Sequence, residues 1–574
     1  MTPSRIAVEI DLPATMRDGT TLRADVYRPV APGPWPVLLT RTPYNKQDPG
    51  MLANLDPEAA ARRGFLVVIQ DTRGRHRSEG HWEPSVHELD DGYDTVRWAA
   101  HLLGADGRVC MYGPSYLGHT QWAALISCPP ELVAAAPEFT WSDPHDGLVA
   151  RDGARELGLI TQWTLSLGAD VLLRRHRAHP AELRHHLAHL AEAQATLRTR
   201  TYWELPADHL PTLRELRLPA PGRPDAPPLL RVPDPLPHAI APTLTVAGWY
   251  DAFLQGSLDN HVAAHEADQR SRLIVGPWSH DNQSTRIGDV DFGPSSGADA
   301  IDGAGALRSL ELDWFDDLLR PDPSKSTATP AALIFIMGIN RWRHIDRWPP
   351  PATDVPWYLH PDRRLSPEPP PEHQHPDTFR HDPANPVPTH AGALLLTDDF
   401  PAGPLDQRET EQRPDVLVYT SALLTEALEV VGRIRAHLVA ASSAPSTDWI
   451  VRLCDVAPDG ISRNITDGVV RVEHSEHAEH PATEPSEHTI DLWSTAHVFL
   501  PGHRLRVQVT SSNFPRWDRN LNLGGATATD ADDAPLVARQ FIFRDAARPS
   551  HILLPVTAGP HVARVAHVTR DGAS

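Results

Sequence analysis

The chain has 574 residues, 53 basic against 74 acidic groups for a net charge of −21, 58 prolines and three cysteines. That length implies several domains with sizeable cores, and 40% hydrophobic with 22% charged residues excludes a disordered chain. The acidic balance, with a basic set that is arginine apart from Lys46 and Lys325, argues against nucleic acid as a partner, because phosphate binding needs clustered Lys and Arg. Cys110, Cys128 and Cys454 are too scattered for a disulfide framework and form no C-x-x-C pair. The N-terminus passes from Met1-Thr2-Pro3-Ser4-Arg5 into alternating Val8-Glu9-Ile10-Asp11-Leu12, not an apolar signal core, and no run approaches the ~18 apolar residues of a membrane span. The expectation is a soluble, cytoplasmic protein with no membrane partner.

In chain order, residues 6–45 read as short strands at Ala7–Leu12, Thr21–Tyr27 and Val37–Thr40. Gly64–Ile69 is a continuous apolar run of the kind a buried parallel strand shows. A helical pattern follows over Asp94–Leu103, then a strand at Val109–Tyr112 and a helix at Gln121–Ser127. Strands alternating with helices imply a parallel α/β sheet. From about 146 the pattern turns helical, with Leu157, Leu159, Ile160, Trp163, Leu165 and Leu167 ahead of an Arg/His-rich stretch to Leu197, then a proline-dense connection over 205–240. Buried-strand signals return at Thr243–Val246 and Leu273–Val275, so a helical insertion interrupts the α/β domain.

From Trp348-Pro349-Pro350-Pro351 onward the pattern is almost wholly β, as at Val416–Tyr419, Gly432–Val439, Trp449–Val456 and Leu505–Val509. Short strands at regular spacing with turn signals indicate a sandwich or jelly roll. The expected division is an α/β domain at 1–145 and 241–350, a helical cap at 146–240 and a C-terminal β domain at 351–574.

Three strand ends stand out. Gly113-Pro114-Ser115-Tyr116-Leu117-Gly118 lies directly after a strand and before a helix, which puts Ser115 on a sharp strand-to-helix turn. The spacing is G-x-S-x-x-G, with Leu117 in the usual second-glycine slot. Asp251 of Gly248-Trp249-Tyr250-Asp251 and His280 of Gly276-Pro277-Trp278-Ser279-His280 each stand just beyond a strand. A lone serine in a turn is more often a cap, a lone aspartate a cap and a lone histidine a surface residue. The order Ser, Asp, His at three strand ends is the order of α/β-hydrolases, whose sheets deliver side chains at the carboxyl edge.

At these residues the sequence resembles the cocaine-esterase-like (CocE/NonD) serine hydrolases of the X-Pro dipeptidyl-peptidase (S15) superfamily. The resemblance spans nearly the whole chain: Arg41-Thr42-Pro43-Tyr44, Gln70–Arg75, Asp90–Trp98, Met111–Gly118, Gly248–Phe253, Gly276–His280, Asp415–Ser421 and Phe499–Arg504. It implies an α/β-hydrolase core with an inserted helical cap and a C-terminal jelly roll. It also implies Ser115 as nucleophile, His280 as its base and Asp251 as the group orienting His280. The Tyr44 hydroxyl and the Tyr116 backbone N–H would form the oxyanion hole, and Trp163, Phe253, Leu395 and Leu396 the acyl pocket. Family members carry an aromatic at the cap entrance where this chain has Leu148 and Val149, which argues against benzoyl esters as substrates.

The resemblance implies a cofactor-free, metal-free hydrolase of small-molecule carboxylic esters or amides, with the β domain closing the cleft, dimerising, or both. An X-Pro dipeptidyl aminopeptidase or an α-amino-acid ester hydrolase or β-lactam acylase is the alternative. These need carboxylates to capture a substrate ammonium group, for which Glu138, Asp143, Asp146 and Asp152 are the candidates. A carbohydrate-binding protein with a vestigial core is the distant alternative, disfavoured by the intact Ser–Asp–His set. His185 and His189, four apart, have zinc-ligand spacing but read as a solvated helix face. Glu473–His480 reads as an exposed polar loop, and Cys110 as a small buried hydrophobe.

Overall fold

The structure is a computed structural model that describes residues 5–54, 56–236, 240–320, 330–473, 484–524 and 534–557. The Glu/His-rich stretch from His474, and Lys325, lie outside the described residues. The N-terminal half is built on a ten-stranded sheet. Its strands in chain order are β1 (Ile6–Thr15), β2 (Thr21–Pro29), β3 (Trp35–Thr42), β4 (Leu66–Asp71), β5 (Ala105–Pro114), β6 (Leu132–Glu138), β7 (Leu244–Tyr250), β8 (Arg272–Ser279), β9 (Ala332–Ile336) and β10 (Arg341–Ile345). Across the sheet they run β1-β2-β4-β3-β5-β6-β7-β8-β9-β10. The pairs from β4 to β9 are parallel, and the edges at β1, β2 and β10 are antiparallel.

The central strands are apolar in continuous runs because helices cover both faces. Side chains alternate across the sheet. Val37, Leu39, Val68, Val109 and Met111 pack under the helices α1 (Glu88–Ala100) and α2 (Tyr116–Ser127). Leu38, Val67, Cys110 and Tyr112 face the other way, toward a late helix, Leu307–Leu319. Cys110 is fully buried in this layer, and burial raises its thiol pKa, so it packs as a hydrophobe. Between β6 and β7 the insertion carries α3 (Leu157–His176), α4 (Pro180–Ala195) and a short helix Pro211–Glu215. Its apolar side packs on Tyr116, Trp141 and Phe253 above the sheet's carboxyl edge.

The C-terminal half is β-rich. Long strands Leu428–Ser442, Ser446–Val456, Ser462–Glu473 and Ser486–Phe499 pair antiparallel around one core that includes Leu417, Tyr419, Val430, Ile434, Trp449 and Leu492. This half is continuous with the first. The Met337 N–H donates to the Ala496 carbonyl and the Val498 N–H to the Met337 carbonyl, both at 2.9 Å.

Candidate active site

Ser115 occupies the junction of β5 and α2 with φ 60° and ψ −125°, a left-handed conformation that a non-glycine residue rarely adopts. Its N–H is held by the Glu138 carbonyl at 2.9 Å, and its side chain makes no cap hydrogen bond to the helix it precedes. The two flanking glycines have separate reasons. Gly113 has φ +122°, and a Cβ there would meet Leu117 at 2.9 Å, the residue in the atypical slot. A Cβ on Gly118 would sit 2.8 Å from the Thr140 Cβ, so its absence lets α2 approach the end of β6.

His280 and Asp251 stand just past the neighbouring strands β8 and β7. The His280 Nδ1 lies 2.7 Å from Asp251 Oδ1; a carboxylate only accepts, so Nδ1 carries the proton and Nε2 is left with its lone pair. The Phe253 N–H donates to the other Asp251 oxygen at 3.1 Å. Asp251 is wholly buried, and the His280 ring stands edge-on to Phe253 at 5.3 Å and to Phe139 at 6.3 Å. Burial disfavours the imidazolium, but the Asp251 charge and hydrogen bond, with Asp281 adding to them, outweigh it and hold the His280 pKa above 6.5.

Tyr44 comes to Ser115 from the end of β3. Burial keeps its phenol protonated, and hydrogen bonds to the Trp163 and Ser115 side chains act in the opposite direction. The Trp163 Nε1–H donates to the Tyr44 oxygen at 3.0 Å. With its oxygen so engaged, the Tyr44 proton is free to point toward Ser115. Tyr116 is the first residue of α2, so its N–H is among those that a helix start leaves without an intrahelical acceptor. Its phenol is turned away, donating to Glu88 at 2.9 Å and accepting from the Ser85 N–H at 2.8 Å. Arg41, fully buried, completes this chain with a 2.5 Å ion pair to Glu88.

Tyr44, Ser115, Tyr116, Trp163, Phe253 and Leu395 line one narrow pocket, joined by Trp141, Leu148, Leu159 and Pro221. Leu396 does not: it turns into the core, where its Cδ2 lies 2.7 Å from the Cβ position of Gly158 on α3. Adjacent residues of an extended segment point to opposite sides, so only one of this leucine pair faces the pocket. Leu148 supplies no aromatic at the entrance, but the wall is aromatic nonetheless. Trp163 stacks on Tyr116 at 6.2 Å and 17°, and Trp141 meets Phe253 at 5.2 Å. Trp141 was not legible as a site residue, since it lies in a loop without a motif.

The four carboxylates considered for an ammonium group are elsewhere. Glu138 is fully buried and bound by Arg308 at 2.9 Å. Asp143 pairs with Arg231 at 3.1 Å, and Asp146 accepts from the Trp493 indole at 3.1 Å. Asp152 presents its carbonyl to the Arg471 N–H in the β-rich half. None of the four lines the pocket. Glu138, Asp143 and Asp146 are each held by a basic or indole group from a distant segment, which local sequence does not reveal. His189 lies 3.8 Å from Glu215, and His185 and His186 meet ring to ring at 5.6 Å; no group of three or more metal-ligating side chains occurs among the described residues. Among them too, no helix is long and apolar enough to cross a membrane.

Comparison with known proteins gives the family. Residues 18–282 match the X-Pro dipeptidyl-peptidase (S15 family) model and residues 324–553 the X-Pro dipeptidyl-peptidase C-terminal non-catalytic domain. The chain is 35% identical to the cocaine esterase of Rhodococcus sp. (strain MB1 Bresler), over 97% of this chain and 100% of that one. In fold it is similar to an aminopeptidase from a marine sediment Thaumarchaeota archaeon (TM-score 0.74, 24% identity, 97% of both chains). It is likewise similar to an α-amino-acid ester hydrolase (TM-score 0.73, 24% identity, 97% of both chains). With a full-length relative above 30% identity and both domain models in order, this chain belongs to the cocaine-esterase-like branch of the X-Pro dipeptidyl-peptidase (S15) family of hydrolases.

Proposed function

We propose that the chain hydrolyses small-molecule carboxylic esters through an acyl-enzyme on Ser115. His280 Nε2 removes the Ser115 proton as Oγ attacks the ester carbonyl, and Asp251 holds the imidazole in the required tautomer and stabilises the imidazolium. The carbonyl oxygen becomes an alkoxide beside the Tyr44 hydroxyl and the Tyr116 N–H, which donate to it. His280 then gives its proton to the leaving alcohol. Water attacks the acyl-enzyme with His280 again as base, and Ser115 is regenerated. The observation that carries this reading is the 2.7 Å bond from His280 to buried Asp251, in a site where Ser115 is held at φ 60° and shares its pocket with Tyr44.

The relative's full-length identity supports an esterase, and so does the pocket. It is apolar and aromatic, without a carboxylate to bind a substrate ammonium group. That favours an uncharged acyl group over the X-Pro dipeptide or α-amino acyl alternatives. A fluorophosphonate probe tests the central claim: stoichiometric labelling is expected, and Ser115→Ala should abolish it. An unlabelled parent protein at saturating probe would overturn the serine-hydrolase reading.

A further inference from the structure

A second cavity, of about 820 Å³, lies between the loop carrying Gly74–Glu83 and the cap. Five arginines line it, Arg174, Arg175, Arg214, Arg217 and Arg223, against two carboxylates, Glu83 and Asp225. Arg223 takes both carboxylates, with Glu83 bound bidentately at 2.6 and 3.0 Å and Asp225 at 2.9 Å. The other four guanidinium groups meet no carboxylate among the described residues. Arg174 donates to the carbonyls of His76 and Ser78, and Arg175 to those of Leu216 and Arg217. These bonds aim the two side chains without neutralising them.

In a chain of net charge −21, this excess of positive charge at one cavity needs a reason. Gathered like charges raise one another's energy unless an anion sits among them. The repulsion registers at Arg175, whose pKa is lowered by burial and by the neighbouring Arg217 charge. Arg217 also holds a left-handed backbone, φ +52°, just past the short helix Pro211–Glu215. Glycine is the usual residue in such a position, and arginine keeps it at a conformational cost. Planar guanidinium groups fit carboxylate and phosphate oxygens.

We infer that this cavity is an anion site, in which Arg174, Arg175, Arg214 and Arg217 hold the carboxylate or phosphate group of a small ligand. Trp82 forms the partition between it and the ester pocket. Its ring lies 5.2 Å from the Arg75 guanidinium, 5.6 Å from Tyr116 and 6.5 Å from Trp163. An anionic group on the substrate and a free anion are the two sources of this chemistry. Only the assignment to substrate rests on the esterase reading.

Calorimetric titration of the full chain with citrate and with inorganic phosphate, at low ionic strength, tests the site. Saturable binding is expected for at least one anion, weakened by salt and by about tenfold or more in Arg214→Gln/Arg217→Gln. Both substitutions are at exposed side chains, so the melting temperature serves as the control for folding. Absence of binding by both anions at about 10 mM, or equal binding by the double variant, overturns the inference. Nitrophenyl butyrate and the nitrophenyl monoester of a dicarboxylic acid then separate the sources. A fall in kcat/KM for the monoester alone in the double variant assigns the anion to the substrate; unchanged rates on both assign it to a free ligand. If the parent protein turns over neither ester, the esterase reading fails while the titration still decides the anion site.

Discussion

The Trp163 indole donates to the Tyr44 oxygen at 3.0 Å, and Tyr44 lines the same pocket as Ser115, so one phenolic donor stands between the pocket wall and the nucleophile. Tyr44→Phe keeps the ring and removes only that donor. An oxyanion donor lost in this way should lower kcat roughly 10²–10³-fold, about 2.7–4 kcal/mol of transition-state stabilisation. KM and melting temperature should change little, because the charge develops only in the transition state. A normal kcat with raised KM would instead make Tyr44 a binding residue. His280 gives the pH dependence. It must be neutral to act as base, and the Asp251 interactions, outweighing burial, hold its pKa above 6.5. The rate should therefore fall as pH drops through a midpoint above 6.5, and be full well above it. Asp251→Asn removes the stabilising charge, so a pH–rate series should show a lower plateau and an acid limb displaced downward.

At the scale of elements, the serine depends on how closely α2 approaches the end of β6. Gly118 permits it, since a Cβ there would stand 2.8 Å from the Thr140 Cβ and 3.2 Å from the Glu138 carbonyl oxygen. That same carbonyl holds the Ser115 N–H. Gly118→Ala therefore forces the helix start away from the strand and shifts Ser115 with it. Thermal unfolding should show a loss of about 1–3 kcal/mol, the usual cost of overpacking, and kcat should fall by more than stability accounts for. An active enzyme of parental stability would mean that Thr140 moves freely out of the way. The order of the elements was legible because continuous apolar runs mark strands buried on both faces, and Ser115, Asp251 and His280 each follow such a run by a few residues. Element ends were less so. The helix α1 begins at Glu88, six residues before the patterned stretch at Asp94, because the buried Glu88 is matched by Arg41 and Tyr116 from elsewhere in the chain.

Over the whole molecule, the β-rich half and the cap junction are joined by buried polar groups. Arg151 is fully buried, donates to the Asp491 carbonyl at 2.7 Å and lies 3.8 Å over the Trp493 ring. The Trp517 indole donates to Glu156 at 2.8 Å, and Trp493 donates to Asp146. Trp493, Ala496 and Val498 also complete the core above β7, β8 and β9. The halves therefore share a core and should unfold together. Arg151→Ala empties the cation–π contact, removes the hydrogen bond to the Asp491 carbonyl and leaves a cavity at the junction. Truncating a large buried side chain in this way should cost roughly 2–5 kcal/mol. Calorimetry should show one transition in the parent and an earlier, broader or split one in the variant. A single transition at the parental temperature would make the junction dispensable.

The sequence by itself determined the fold class and pointed to Ser115, Asp251 and His280, each a few residues past a strand pattern, whereas Tyr44 was singled out by the family resemblance and not by any pattern. Tertiary structure alone decided which neighbours face the site. Leu395 enters the pocket and Leu396 does not, through the turn of one residue in an extended segment. Glu138 looked available for a substrate, but Arg308 binds it from 170 residues away. Trp141 joins the pocket wall from a loop, Trp82 packs behind that wall from another, and the arginines of the second cavity converge from α3 and the far end of the cap. These assignments depend on contacts between distant segments. Such contacts are fixed by packing and charge pairing in three dimensions, and no local period or motif records them.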